Sequence, residues 1–322
     1  MSSTAPQQDF SKKQNFILFA QHGWADTYHD IYYLAQALVN EVSSTNIPIY
    51  TPDLGWINTW LTIAPLIDKV ERIALEAIAQ YPDLPLRIIG HSMGGLIWLE
   101  VLNRHQEWWH KVHSLVLVGS PVGGSDLGRL FDPLRLFPLI ARDLGKNRRS
   151  IAEAIAVKVP TLSIVGNIGN YTDGTVPIGC SQFNHASLVY LNNLRHPTLK
   201  NHPRVATAVS QFWSNPTIAT VPINTASLLI AKLRAIDLTE IDHQNFADAK
   251  VIQTYPDGTK LWTWKNSLQV MHVFVSEKVT NAQGSCDQCI YSAYTGWRDT
   301  PKLENILQTL CIRMEALYVP LQ

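Results

Sequence analysis

The chain has 322 residues, of which 46% are apolar and 16% charged, and its formal net charge is zero. That is enough apolar material for one large domain, or for one domain with a smaller companion. So even a balance of charge leaves no nucleic-acid footprint and no polybasic membrane patch, and nucleic acid is excluded as an expected partner.

Residues 1–14 are polar, lack an apolar core of the signal-peptide kind, and read as a disordered N-terminus. Residues 16–20 then predict a strand that ends at His22-Gly23. A helix is expected over 30–42, a strand over 47–50, and a long helix over 63–80 with apolar positions Leu66, Val70, Ile73, Ala74 and Ile78. Residues 86–90 read as a strand and 96–102 as a helix. The runs 114–118, 161–165 and 187–191 read as further strands, and 203–213 as a helix. Apolar strands alternating with helices indicate a mostly parallel sheet with helices on both faces.

From about residue 215 the texture changes. Pro216 and Pro222 mark a linker-like stretch, and 227–235 reads as a helix. The runs 251–255 and 260–264 flank the turn Pro256-Asp257-Gly258, and 268–275 supplies a third strand. Residues 302–316 read as a final helix. This predicts a small α+β C-terminal region over 215–322, after a main domain over 15–214. No apolar run approaches the ~20 residues of a membrane span. Cys180, Cys286, Cys289 and Cys311 are too sparse for a disulfide framework, which points to a reducing cytoplasm. The lone Cys286-x-x-Cys289 lacks the second ligand pair of a zinc site, so no metal is expected.

Chemistry concentrates in Gly90-His91-Ser92-Met93-Gly94-Gly95, a G-x-S-x-G between a strand and a helix. Such a sharp turn exposes the serine hydroxyl in a strained backbone conformation. A serine hydroxyl is a weak nucleophile at neutral pH and needs a base, which in turn needs an orienting carboxylate. Asp173, in Asp173-Gly174-Thr175-Val176-Pro177 after the 161–165 strand, is one candidate acid, and Asp126 is its rival. The candidate bases downstream are His185, His196 and His202. His196 follows the last strand and a turn; His202 stands beside Pro203 where a helix begins, and His185 precedes its strand. An oxyanion hole needs two backbone N–H groups. Met93 offers one, and Trp24, in Gln21-His22-Gly23-Trp24, offers the other. His22 is read as a structural hydrogen-bonding group, and with Gly23 it adjoins the substrate pocket.

These motifs, together with Gly119-Ser120-Pro121-x-x-Gly124-Ser125, resemble the α/β-hydrolase superfamily, within it lipase- and esterase-like members. The resemblance covers about residues 15–214. It implies the α/β-hydrolase fold, a Ser92–His196–Asp173 triad, an acyl-enzyme mechanism and no cofactor. A small-molecule or lipid-like ester is the implied substrate. Acyltransferases, thioesterases, cofactor-free haloperoxidases and non-catalytic members share the fold. Residues 215–322 depart from the family's pattern.

The family inserts its cap between two core strands, here at about 124–155. That segment carries Leu130, Phe131, Phe137, Leu139 and Ile140 among arginines. An amphipathic lid over an acyl pocket fits this pattern, and so does an ordinary helix packed on the core.

Overall fold

The computed structural model describes residues 15–41, 47–124, 139–236, 238–281, 284–297 and 299–312. Six strands form the first sheet: β1 (Ile17–Gln21), β2 (Ile49–Tyr50), β3 (Leu86–His91), β4 (Val112–Val118), β5 (Thr161–Asn167) and β6 (Ala186–Asn192). Their order is β2-β1-β3-β4-β5-β6, and every neighbouring pair is parallel. Parallel strands joined by helical crossovers are covered on both faces, so β1 and β4 carry nearly unbroken apolar runs.

The covering helices are α1 (Tyr28–Glu41), α2 (Ala64–Gln80), α3 (Met93–Arg104), α4 (Leu139–Leu144), α5 (Arg149–Ala156) and α6 (Pro203–Ser214). Leu86 and Ile88 of β3 pack in one core cluster with α2, α3, α4 and α5. Ile89, on the opposite face, joins the cluster with α1 and α6. On α2 the predicted stripe is buried at Leu66, Val70 and Ala74, while Ile73 and Ile78 are half-buried. Trp98 of α3 is fully buried against Phe19, with ring centroids 4.9 Å apart.

The chain leaves β1 toward β2, then returns across β1 to lay down β3. This reversal opens a crevice at the carboxyl ends of β1 and β3, where ligands bind in open α/β sheets. The loops after these two strands hold Gly23 and Ser92.

Of the expected cap, residues 125–138, including Leu130, Phe131 and Phe137, lie outside the described residues. Part of its described remainder packs into the core. Ile140 is 2% exposed, and Ala152 and Ile155 of α5 are buried in the cluster with α3. Arg148 ties this segment to α3 through Glu100 at 2.7 Å.

The second sheet contains β7 (Thr239–Glu240), β8 (Lys250–Thr254), β9 (Lys260–Lys265), β10 (Met271–Asn281) and β11 (Gly284–Thr295). Its order is β7-β11-β10-β9-β8, antiparallel throughout. Helices α7 (Thr225–Arg234) and α8 (Thr300–Ile312) cover one face through Leu229, Leu233, Val273, Val275, Leu303 and Leu307. β10 is longer than the predicted 268–275 strand, and β11 and β7 have no counterpart among the predicted elements. The outer half of the β10–β11 hairpin is largely solvated, so Gly284 to Gln288 carries no apolar alternation. Strand geometry also explains Cys286 and Cys289. Residues three apart on a strand face opposite ways, and Cys286 is exposed while Cys289 is buried. Burial pushes the Cys289 thiol up to about 12. Among the described residues, no helix is long and apolar enough to cross a membrane.

A buried ionic cluster joins the two sheets. Glu240 of β7 accepts from Arg234 at 2.9 and 3.1 Å and pairs with Arg149 of α5 at 2.8 Å. Arg149 also donates to the carbonyls of Gln182 and Gly179, both at 2.9 Å. Beside it, the His243 ring stacks on Tyr171, with centroids 4.2 Å apart.

Glu240→Ala leaves two guanidinium groups without their shared counter-charge. Breaking a buried pair in this way costs about 3–5 kcal/mol. The expected result is a large drop in the urea midpoint, with Glu240→Asp falling in between. Acid should act through histidines. Burial pushes the His243 imidazole down to about 4, and burial with nearby Arg87 does the same to His113. An unfolded histidine titrates near pH ~6.5, so below that value the unfolded chain binds protons that the native state refuses. Their contribution is complete above pH ~6.5 and is lost as pH falls toward the native values. The melting temperature should therefore fall on acidification across this window, and His243→Gln should shallow the fall.

Candidate active site

The turn after β3 is built by close backbone approach. Ser92 has φ +53° and ψ −123°, a conformation that costs a non-glycine residue about 1–3 kcal/mol. Its N–H donates to the Val118 carbonyl at 2.8 Å, which anchors the turn over the end of β4. Two glycines make the approach possible. A Cβ on Gly94 would collide with the Gln21 and His22 carbonyl oxygens, and one on Gly23 would lie 2.9 Å from the Ser92 Cβ.

His196 opens a short turn after β6 and is 7% exposed. Its Nε2 lies 3.0 Å from Ser92 Oγ, and its Nδ1 lies 2.6 Å from Asp173 Oδ2. Asp173 sits in the loop after β5 and is 2% exposed. Its Oδ1 accepts the N–H groups of Thr175 and Val176 at 2.9 and 2.7 Å. A carboxylate accepting in this way receives the Nδ1–H of His196, leaving the Nε2 lone pair toward the serine hydroxyl. The His196 backbone N–H donates to the Asp173 carbonyl at 3.0 Å, a second bond between the same two residues.

His91 lies beneath this pair. It is 4% exposed, and its Nε2 is 3.2 Å from the His196 carbonyl. A carbonyl only accepts, so Nε2 carries the hydrogen. Burial, reinforced by nearby His196, holds the His91 imidazole well below its ordinary range and therefore neutral.

His22 is fully buried. The Leu54 N–H donates to its Nε2 at 3.0 Å, so Nδ1 is the protonated nitrogen and donates to the Gly23 carbonyl at 3.1 Å. Burial pushes its pKa down, consistent with this neutral form. Its ring braces the loop from below because both nitrogens are used by backbone. Met93 begins α3, where backbone N–H groups have no intrahelical acceptor. Trp24 stands across the turn and is 39% exposed. Its ring meets Trp60 edge-on at 4.4 Å, and Trp60 meets Trp56 at 5.5 Å. The Ala25 N–H donates to Thr59 Oγ1 at 3.1 Å, tying this aromatic group to the β1 loop. No local motif marks Trp56 and Trp60 as site residues. Their signal is position, since both come after β2 and so share the carboxyl end of the sheet.

The other candidate histidines lie elsewhere. His202 caps α6, its Nδ1 accepting the Arg204 N–H at 3.1 Å. His185 stands before β6, at the opposite end of the strand from His196. Asp126 is outside the described residues.

The family profile described as PGAP1-like alpha/beta domain matches residues 66–215, a stretch that contains Ser92, Asp173 and His196. The propeptide form of the Bacillus licheniformis lipase BlEst2 aligns with a TM-score of 0.52 at 13% identity, over 90% of this chain and 71% of that one. The chain has the α/β-hydrolase fold. The mature form of the same lipase aligns at TM-score 0.48 and 18% identity, over 66% of this chain and 96% of that one. A pyrethroid hydrolase from Sphingobium faniae JZ-2 aligns at 0.43 and 16% identity, over 62% and 98%. No curated protein sequence matches the chain. Within this α/β-hydrolase fold, Ser92 stands after β3, Asp173 after β5 and His196 after β6.

The atoms facing Gly94 are backbone carbonyls and cannot turn aside. Gly94→Ala should therefore destabilise by about 1–3 kcal/mol or more, the range for overpacking. A matching loss in thermal melting temperature, absent in an alanine change at exposed Glu76, would check this.

Proposed function

We propose that the protein is a serine hydrolase that cleaves carboxylic esters through an acyl-enzyme intermediate. The observation that carries this reading is the unbroken hydrogen-bonded line from Ser92 Oγ through His196 to Asp173, at 3.0 and 2.6 Å. In the first half-reaction His196 Nε2 takes the Ser92 hydroxyl proton as Oγ attacks the ester carbonyl. Asp173 holds the ring in the correct tautomer and stabilises the imidazolium. The Met93 and Trp24 N–H groups receive the developing oxyanion. His196 then passes the proton to the leaving alkoxide, the C–O bond breaks, and Ser92 keeps the acyl group. Water repeats the sequence and releases the acid.

The group formed by Trp24, Trp56 and Trp60 offers an apolar surface beside Ser92, and we assign it to the acyl part of the substrate. An apolar surface of this kind favours medium or long acyl chains over acetyl. Residues 15–214 carry the reaction in this reading, with 215–322 as an appended unit. A chain with only four cysteines suits a reducing compartment such as the cytoplasm.

A fluorophosphonate probe should label the native protein and leave Ser92→Ala unlabelled. Asp173→Asn should lower kcat on p-nitrophenyl esters by on the order of 10⁴, the scale for losing the tautomer-fixing carboxylate. Turnover should rise from acetyl to longer acyl esters. An added acceptor alcohol that yields new esters in place of acid would make the reaction an acyl transfer. A well-folded native protein that resists the probe would sink the proposal.

A further inference from the structure

The second sheet carries a row of rings on the face turned away from α7 and α8. Strand register sets Trp264, His272 and Tyr294 side by side on β9, β10 and β11. Ring centroids are 4.8 Å apart from Trp264 to His272 and 5.5 Å apart from His272 to Tyr294. His272 is 7% exposed, and neither ring nitrogen has a hydrogen-bond partner among the described residues. A neutral imidazole holds one N–H and one lone pair, and burying both unpaired is unfavourable unless something fills the place.

His272 borders a cavity of about 530 Å³ between this sheet and the loop around Asp173. Thr172 and Thr175 form the loop side, and Tyr294 continues the ring row. Pro177, Leu268 and Val270 supply apolar wall, and Asp242 is the one charged group on it among the described residues. Among those residues no lysine or arginine lines the cavity, and neither Ser92 nor His196 borders it. An anion would face Asp242 with no counter-charge. A cation finds that carboxylate, the imidazole lone pair and the Tyr294 ring. Burial pushes the His272 imidazole below its ordinary value, which keeps the lone pair available near neutral pH.

We propose that this cavity binds a small organic ammonium ion with a short apolar body. The ammonium group lies between Asp242 and His272, and the body lies along Leu268 and Val270. The inference does not rest on the proposed hydrolase activity.

Titration calorimetry with three ligands of like body and different charge tests it: 2-phenylethylammonium, 2-phenylethanol and 3-phenylpropanoate. The ammonium ion should bind one-to-one, roughly tenfold tighter than the alcohol, as a partly exposed cation–π and charge contact implies. The carboxylate should not bind. Asp242→Asn should bring the ammonium ion down to the alcohol's affinity, and His272→Phe should abolish binding. Circular dichroism melts show that each variant is folded; Asp242→Asn alone decides the matter if His272→Phe is not. Equal affinity for the three ligands, or no saturable binding of the ammonium ion in the millimolar range, would overturn the proposal. Fluorophosphonate labelling of the same samples reports on Ser92 separately, so the two readings fail independently.

Discussion

Two backbone segments meet where the β1 loop crosses the turn between β3 and α3, with no side chain between them. The Gln21 and His22 carbonyls lie against the Cα of Gly94, and Gly23 lies against Ser92. This contact sets the positions of the elements around it. It holds Ser92 at positive φ, sets the start of α3 beside the Trp24 loop, and leaves the Ser92 hydroxyl facing the crevice at the sheet's carboxyl edge. The strain stored at Ser92 is small beside the packing that holds it. α3 is buried along almost its whole length, with Leu96, Ile97, Trp98, Leu99, Val101 and Leu102 all inaccessible to solvent. A helix that cannot shift holds its first turn in place, and the strained residue is over-determined by its neighbours.

Much of this was legible in the sequence because it is written locally. The elbow is six residues long, and its strand and helix adjoin it. The parallel strands announce themselves by apolar runs such as Ile17 to Ala20, since both faces must be buried. Ser92 is marked by the elbow and His196 by its place after the last strand, while His202 beside Pro203 reads as a cap; Asp173 and Asp126 both follow a strand, so position alone leaves the acid open. The illegible parts depend on distant partners or on solvent. β11 gains its strand character from pairing with β10, and its outer half has no apolar face to reveal it. Trp56 and Trp60 come to the site only because β2 lies next to β1. The segment expected as a cap stays open for a related reason: a mixed apolar and arginine pattern serves a lid or a core helix equally, and only the end of it, where Arg148 and Arg149 pair with Glu100 and Glu240, lies among the described residues.

The second sheet is bound to the first through the segment after Asp173. Arg149 reaches the Gly179 and Gln182 carbonyls, and Glu240 bridges Arg149 to Arg234. A buried ion cluster of this kind adds little net stability against an apolar core of equal volume, because desolvation offsets the attraction. Its geometry is specific, however: a carboxylate shared between two guanidinium groups sets where β7 sits relative to α5. The backbone adds a second tie, with the His243 N–H donating to the Asn170 carbonyl at 2.8 Å. Residues 149 and 240 are too far apart in the chain for any local pattern to disclose the link.

The consequence reaches His196. Asp173 holds that histidine twice, through its carboxylate to Nδ1 and through its carbonyl to the backbone N–H. Two bonds to one residue fix both the position and the plane of the ring, so a shift of the Asp173 loop would move the whole imidazole. That loop is clamped from inside by its own Thr175 and Val176 N–H groups, and from outside by Tyr171 packed on His243. The second sheet is thus part of the support on which the Ser92–His196 distance depends, and it acts there through the Asp173 loop.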